Sequence, residues 1–172
     1  MRHISKITIA LAVFIVVSAS FMLQLRTFLA ETFGEEVLRL AFYYFLAASV
    51  ICYCIYKLYR KLPVHKLIWS IIIFVIAYLL MSRQEYFSEK IHILEYGVLG
   101  FLALKDLFKG NRPFLMNIVF ALFFIALVGV LDEGFQWVLP YREFEVKDII
   151  TNILSGFLGM LQLTILISRK KL

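Results

Sequence analysis

Apolar residues run through this chain in six long stretches separated by short polar breaks. The stretches cover approximately Ile7–Leu23, Val37–Tyr56, Leu67–Met81, His92–Leu104, Phe114–Leu131 and Ile149–Ile167. None alternates with the period of two that a barrel strand needs, and hydrocarbon admits only helices or closed barrels as spanning structures. A helical crossing takes about 20 mainly apolar residues, or fewer where flanking side chains snorkel. The pattern predicts an all-α integral membrane protein, a single domain over residues 1–172 built as a bundle of six transmembrane helices. The third stretch is short, and the fourth carries Glu95 inside it.

Composition agrees. The chain has 172 residues, of which 62% are hydrophobic and 17% charged, with a mean hydropathy of +0.87. A soluble domain holds about 45–50% apolar and about 25% charged residues. Cys52 and Cys54 lie two apart in an apolar helix and so point to opposite sides, as packing residues and not as a disulfide.

The net charge of +6 would suit nucleic acid if the cations formed one patch, but they are sorted by loop. Arg2 and Lys6 precede the first stretch, and Lys57, Arg60, Lys61 and Lys66 fill the second connection. Lys105, Lys109 and Arg112 fill the fourth, and Arg169, Lys170 and Lys171 follow the last. These four regions hold twelve of the 18 basic residues, and the positive-inside rule assigns all four to the cytoplasm. Both termini are then cytoplasmic. Of the twelve acids only Asp106 falls on that side. The basic excess is a topology signal and an attraction to anionic membrane lipid, with no nucleic acid implied.

The punctuation fits this layout. Gly110-Asn111-Arg112-Pro113 breaks the chain before the fifth stretch, Pro140 ends a helix after Trp137, and Pro63 interrupts the basic second connection. The start MRHISK, its apolar run and Ser18-Ala19-Ser20 outline a cleavable signal peptide. The run nevertheless continues through Leu23 and is followed by another apolar stretch, so it reads as a retained helix. Glu31, Glu35 and Glu36 read as an outer loop leading into the second helix, and Glu143, Glu145 and Lys147 as a solvated loop. Arg39 lies near the outer end of the second stretch, where it snorkels or faces a pocket.

One segment stands apart. DEGFQWVLPYREFEVKDIITN, residues 132 to 152, gathers seven formal charges between two greasy stretches. Asp132, Glu133 and Gln136 share a helix end at spacings of three and four. Asp148 and Asn152 share a face at the start of the sixth stretch, and His92, Glu95 and Tyr96 share one at the start of the fourth. The topology brings all three groups to the outer membrane level. Glu95 and Asn152 lie one turn deeper, by about 5 Å. An ionisable group there is costly unless it meets a partner or a wet cavity. The expectation is an extracytoplasmic polar pocket, with Arg142 in the adjoining connection. Gly97, Gly100, Gly129, Ser155, Gly156 and Gly159 are small enough to let the fourth, fifth and sixth helices pack closely around it.

HILEYGVLGFL, DEGFQ, the Pro140-Tyr141-Arg142 turn and DIITNILSGFLG together resemble the signature of VanZ-like proteins, over about Lys90 to Leu161. The resemblance implies that His92, Glu95, Tyr96, Asp132, Glu133, Gln136, Arg142, Asp148 and Asn152 are the family's polar positions. It also implies a cell-envelope setting, since the family is named for a protein linked to teicoplanin resistance.

Three readings of these residues stay open. In the first, His92, Glu95, Asp132 and Glu133 are catalytic, in a hydrolase or transferase acting on a lipid-linked or peptidoglycan-related substrate. Tyr96, Gln136, Arg142, Asp148 and Asn152 then bind that substrate, Arg142 through its planar fork. A metal form of this reading sets a divalent ion among His92, Glu95, Asp132, Glu133 and Asp148, although the spacing matches no standard metal signature. In the second, the chain is a non-catalytic binder or transporter of an anionic envelope lipid, a precursor or a glycopeptide. In the third, the polar residues are a structural network tying helix ends together.

Overall fold

The computed structural model describes residues 3–84, 87–108, 113–140 and 144–167. Among these it contains no strand and seven helices: α1 (Lys6–Ser18), α2 (Met22–Phe33), α3 (Glu35–Tyr59), α4 (Val64–Ser82), α5 (Phe87–Phe108), α6 (Phe114–Val138) and α7 (Val146–Ile167). Four of them, α3, α4, α6 and α7, are long and apolar enough to cross a membrane. Large side chains such as Phe45, Trp69, Leu115, Phe123 and Trp137 stand on the outer surface, a surface suited to lipid.

The first stretch departs from its prediction. One helix was expected over Ile7–Leu23, but α1 stops at Ser18, and α2 leaves at 66° to it. Two serines explain the break. Ser18 Oγ donates to the Ile15 carbonyl at 2.8 Å and Ser20 Oγ to that of Val17 at 2.7 Å, while the Ser20 and Phe21 amides make tight three-residue turns. As a pair α1 and α2 remain apolar enough for one broken span. The expected outer loop shrinks to Gly34, whose φ of +87° suits a residue without a Cβ, and Glu35 and Glu36 occupy the first turn of α3.

The proline punctuation is where the sequence put it. Pro63 and Pro113 sit at the N-caps of α4 and α6, and α6 ends at Val138 with Leu139 extended before Pro140. Gly110, Asn111 and Arg112, and likewise Tyr141, Arg142 and Glu143, lie outside the described residues, as do Arg2, Lys109 and the terminal basic residues.

α5 is the exception in composition and the centre in packing. Every length of it able to cross a bilayer contains Glu95 together with other charges. It survives this because it is enclosed, packing against α7, α6, α1, α4 and α2 and burying Tyr96, Leu99, Ala103 and Leu104. Its tightest neighbour is α7, and glycine makes the approach. A Cβ on Gly100 would lie 2.0 Å from the Gly156 carbonyl oxygen, and one on Gly159 would lie 1.8 Å from that of Gly97. By contrast α3 buries no residue and stands at the edge of the bundle. Both cysteines on it are free, Cys52 exposed and Cys54 half-buried.

Candidate functional site

The polar groups of α5, α6 and α7 meet where α5 and α7 begin and α6 ends. Asp132, Glu133 and Gln136 fall on the inward face of α6 at its last turns, and all three are buried, Asp132 at 0% and Glu133 at 1% exposure. From α5 the Tyr96 hydroxyl donates to Asp132 Oδ2 at 3.2 Å. Gln136 Nε2 bridges the two carboxylates, donating to Asp132 Oδ1 at 3.2 Å and Glu133 Oε1 at 3.3 Å. Glu133 Oε2 accepts the backbone N–H of Glu145 at 3.1 Å, which ties the residue before α7 to the cluster.

His92 and Glu95, one turn apart on α5, form a second unit. His92 Nδ1 lies 2.9 Å from Glu95 Oε2. With Glu95 ionised, Nδ1 carries the proton of a neutral ring and Nε2 is its basic nitrogen. The two units are neighbours, with Asp132 of α6 within electrostatic range of both His92 and Glu95 of α5.

α7 supplies Asn152 and Asp148. Asn152 is 3% exposed, and its Nδ2 has no hydrogen-bond partner, an uncommon state for a buried donor. It belongs to the same locality, since a Cβ on Gly129 would lie 3.9 Å from both Asn152 Cβ and the Tyr96 hydroxyl. Asp148 is half-buried in the first turn of α7, and its amide donates to the Glu145 carbonyl.

Eight of the nine positions singled out from sequence therefore gather at one end of the bundle, and the ninth, Arg142, lies outside the described residues. Two details differ from expectation. Asp132, Glu133, Gln136 and Asn152 are enclosed, where an open pocket was expected, because the inward face of α6 turns toward α5 and α7. The proposed ligands His92, Glu95, Asp132, Glu133 and Asp148 are divided, and among the described residues no three His, Cys, Asp or Glu side chains gather around one metal position. Glu145, read as solvated loop, joins the cluster through its backbone, a role no side-chain pattern announces.

Two further polar clusters escaped the sequence reading. Asp106 Oδ2 accepts the Ser5 amide at 2.9 Å and the Thr8 hydroxyl at 2.6 Å, tying the start of α1 to the end of α5. Its isolation among basic residues was the available signal. Gln162 Nε2 on α7 donates to Tyr53 on α3 at 2.6 Å and to Ser70 on α4 at 3.0 Å. A glutamine inside the last apolar stretch was the hint there.

Neither a curated protein nor a solved structure matches the chain. A family model described as VanZ/LLP1 matches residues 7–167, nearly the whole length, and takes in all eight described polar positions of the α5–α6–α7 cluster. The chain belongs to the VanZ/LLP1 family.

Proposed function

We propose that this is a bacterial cell-membrane protein of six crossings whose polar cluster lies on the extracytoplasmic side and acts on a cell-envelope ligand. The basic residues beside alternate connections support that orientation, with both termini cytoplasmic. The ligand class is a lipid-linked or peptidoglycan-related molecule, and the activity bears on susceptibility to glycopeptides such as teicoplanin.

One observation carries the reading: a histidine paired with a glutamate at 2.9 Å beside a buried aspartate–glutamate pair. Glu95 orients His92, and the ring's other nitrogen works as general base in a hydrolysis or transfer. Two carboxylates inside a bundle are expensive unless function retains them. Arg142, in the connection after α6, suits a phosphate or carboxylate on the ligand.

A second reading, non-catalytic binding or transport, is favoured by the enclosure of the cluster and by the unpartnered amide of Asn152, a donor held ready for a ligand. Expression in a teicoplanin-sensitive host tests the catalytic reading. His92→Gln and Glu133→Gln, present at wild-type levels in the membrane, are expected to abolish any gain in tolerance. Full tolerance in both variants excludes these roles.

A further inference from the structure

A second feature lies at the start of α5, on the side facing α2 and α3 and lined by side chains other than those of the polar cluster. Arg26 of α2, Glu35, Glu36 and Arg39 of α3, and Phe87 and Lys90 of α5 line a polar cup of about 240 Å³. The two glutamates are already engaged, Glu35 by Arg26 and Glu36 by Arg39 at 2.7 Å. Among the described residues Lys90 has no ion-pair partner, so three described cations face two described carboxylates. The Arg39–Glu36 pair is solvent-exposed on both sides and is easily exchanged for a stronger partner.

Along the same helix runs an apolar cleft of about 710 Å³ between α3 and α4, lined by residues including Tyr43, Ala47, Val50, Tyr78, Met81 and Leu94. That volume lies in the range of ligand sites. Arg39 of the cup and Tyr43 of the cleft are one turn apart on α3. An aromatic chain joins the two spaces: Phe42 meets Phe87 of the cup at 5.0 Å between ring centroids and Tyr43 at 5.7 Å, and Tyr43 meets Tyr78 at 6.1 Å. Such rings suit the boundary between headgroup and hydrocarbon.

We propose that the cup and cleft together bind one lipid with an anionic phosphate headgroup, the phosphate against Lys90 and Arg39 and a hydrocarbon chain between α3 and α4. Arginine offers the phosphate a planar fork and lysine a point charge. A zwitterionic head brings its own cation toward Arg26 and Arg39 and gains less. This site uses a different set of side chains from His92 and Asp132, and it stands whether or not those residues are catalytic.

The test compares lipid retention by the full chain, purified in neutral detergent, using native mass spectrometry with phosphatidic acid and phosphatidylcholine of the same chains. Wild type is expected to prefer phosphatidic acid roughly tenfold, as one charge-assisted hydrogen bond would give. K90Q combined with R39Q is expected to remove the preference, and A47W, at an exposed cleft position, to lower retention of phosphatidic acid. Inorganic phosphate in excess is expected not to displace the lipid. Equal retention of the two lipids, a preference that survives the double variant, or displacement by free phosphate alone each overturns the proposal.

Discussion

Tyr96 and Asp132 are joined across the α5–α6 interface by a single hydrogen bond of 3.2 Å, and both side chains are wholly buried. A carboxylate with no exposure depends on each donor it has. Tyr96→Phe keeps the ring and its packing but withdraws one of the two donors that Asp132 has among the described residues. The expected loss is about 1–3 kcal/mol, the cost of an under-satisfied buried acceptor, read as a lowered unfolding temperature in detergent. Asp132→Asn removes the charge and keeps the shape, so it is expected to hold or raise that temperature while lowering tolerance in the glycopeptide assay. A large destabilisation by the asparagine would mean that the charge serves the fold.

The glycines of the α5–α7 contact make a sharper structural prediction. Gly159→Ala would put a methyl 1.8 Å from a backbone oxygen, which cannot yield by side-chain rotation. Parting the two helices is expected to cost about 1–3 kcal/mol or more. Gly134→Ala on α6 meets nothing within 4 Å and is expected to gain up to about 1 kcal/mol from helix propensity alone. Parallel melting curves separate the two, and equal effects would contradict the close approach.

These glycines also show why so much could be read in advance. Small residues at helical spacing and polar residues three and four apart are local patterns, and each declares which face of a helix turns inward. Hence α5, α6 and α7 and their cluster were legible before any coordinates. The serine break at residues 18–20 was not, because hydroxyl-to-carbonyl bonds compete with a helix only in particular rotamers. Nor was the enclosure of Asp132 and Glu133, which depends on how far α6 rolls toward its neighbours. Glu145 escaped for a different reason: its contribution is a backbone N–H, which every residue but proline possesses.

Asp106 is expected to anchor α1. Its carboxylate receives the Ser5 amide and the Thr8 hydroxyl, while Ser5 Oγ also accepts the Thr8 amide as an N-cap. Asp106→Ala strands the Ser5 amide, while the Thr8 hydroxyl keeps Ser5 Oγ at 3.0 Å, so the expected cost is about 1–3 kcal/mol. Limited proteolysis would reveal it as faster cleavage within α1. Unaltered cleavage would show that apolar packing of Ala12 and Ile15 suffices to hold the helix.

Orientation is open to direct chemical labelling. In a background of Cys52→Ser and Cys54→Ser, single cysteines are placed at Arg83, which caps α4, and at Lys61, between α3 and α4. The six-crossing topology expects Arg83→Cys to react with an impermeant maleimide in intact cells, and Lys61→Cys only after the membrane is opened. The reverse pattern would put the polar cluster on the cytoplasmic side and remove the envelope ligand from consideration.

The triad of Gln162, Tyr53 and Ser70 decides how much a polar network contributes inside this bundle. Gln162 Nε2 reaches both hydroxyls, yet its Oε1 is buried without a partner, so the residue gives and forfeits at once. If Gln162 is replaced by Met, Tyr53 and Ser70 still face each other at 3.1 Å, and Ser70 still donates to the Lys66 carbonyl at 2.9 Å. Neither hydroxyl is stranded. Interhelical hydrogen bonds in membranes contribute about 0.6 kcal/mol on average, and removal of the unpaired carbonyl offsets part of the loss. Gln162→Met is therefore expected to change stability by less than about 1 kcal/mol, whereas Ser70→Val withdraws a shared partner from both neighbours and is expected to cost more. Unfolding of both variants under one set of detergent conditions gives the order, and a glutamine variant weaker than the serine variant would place the network's centre on α7.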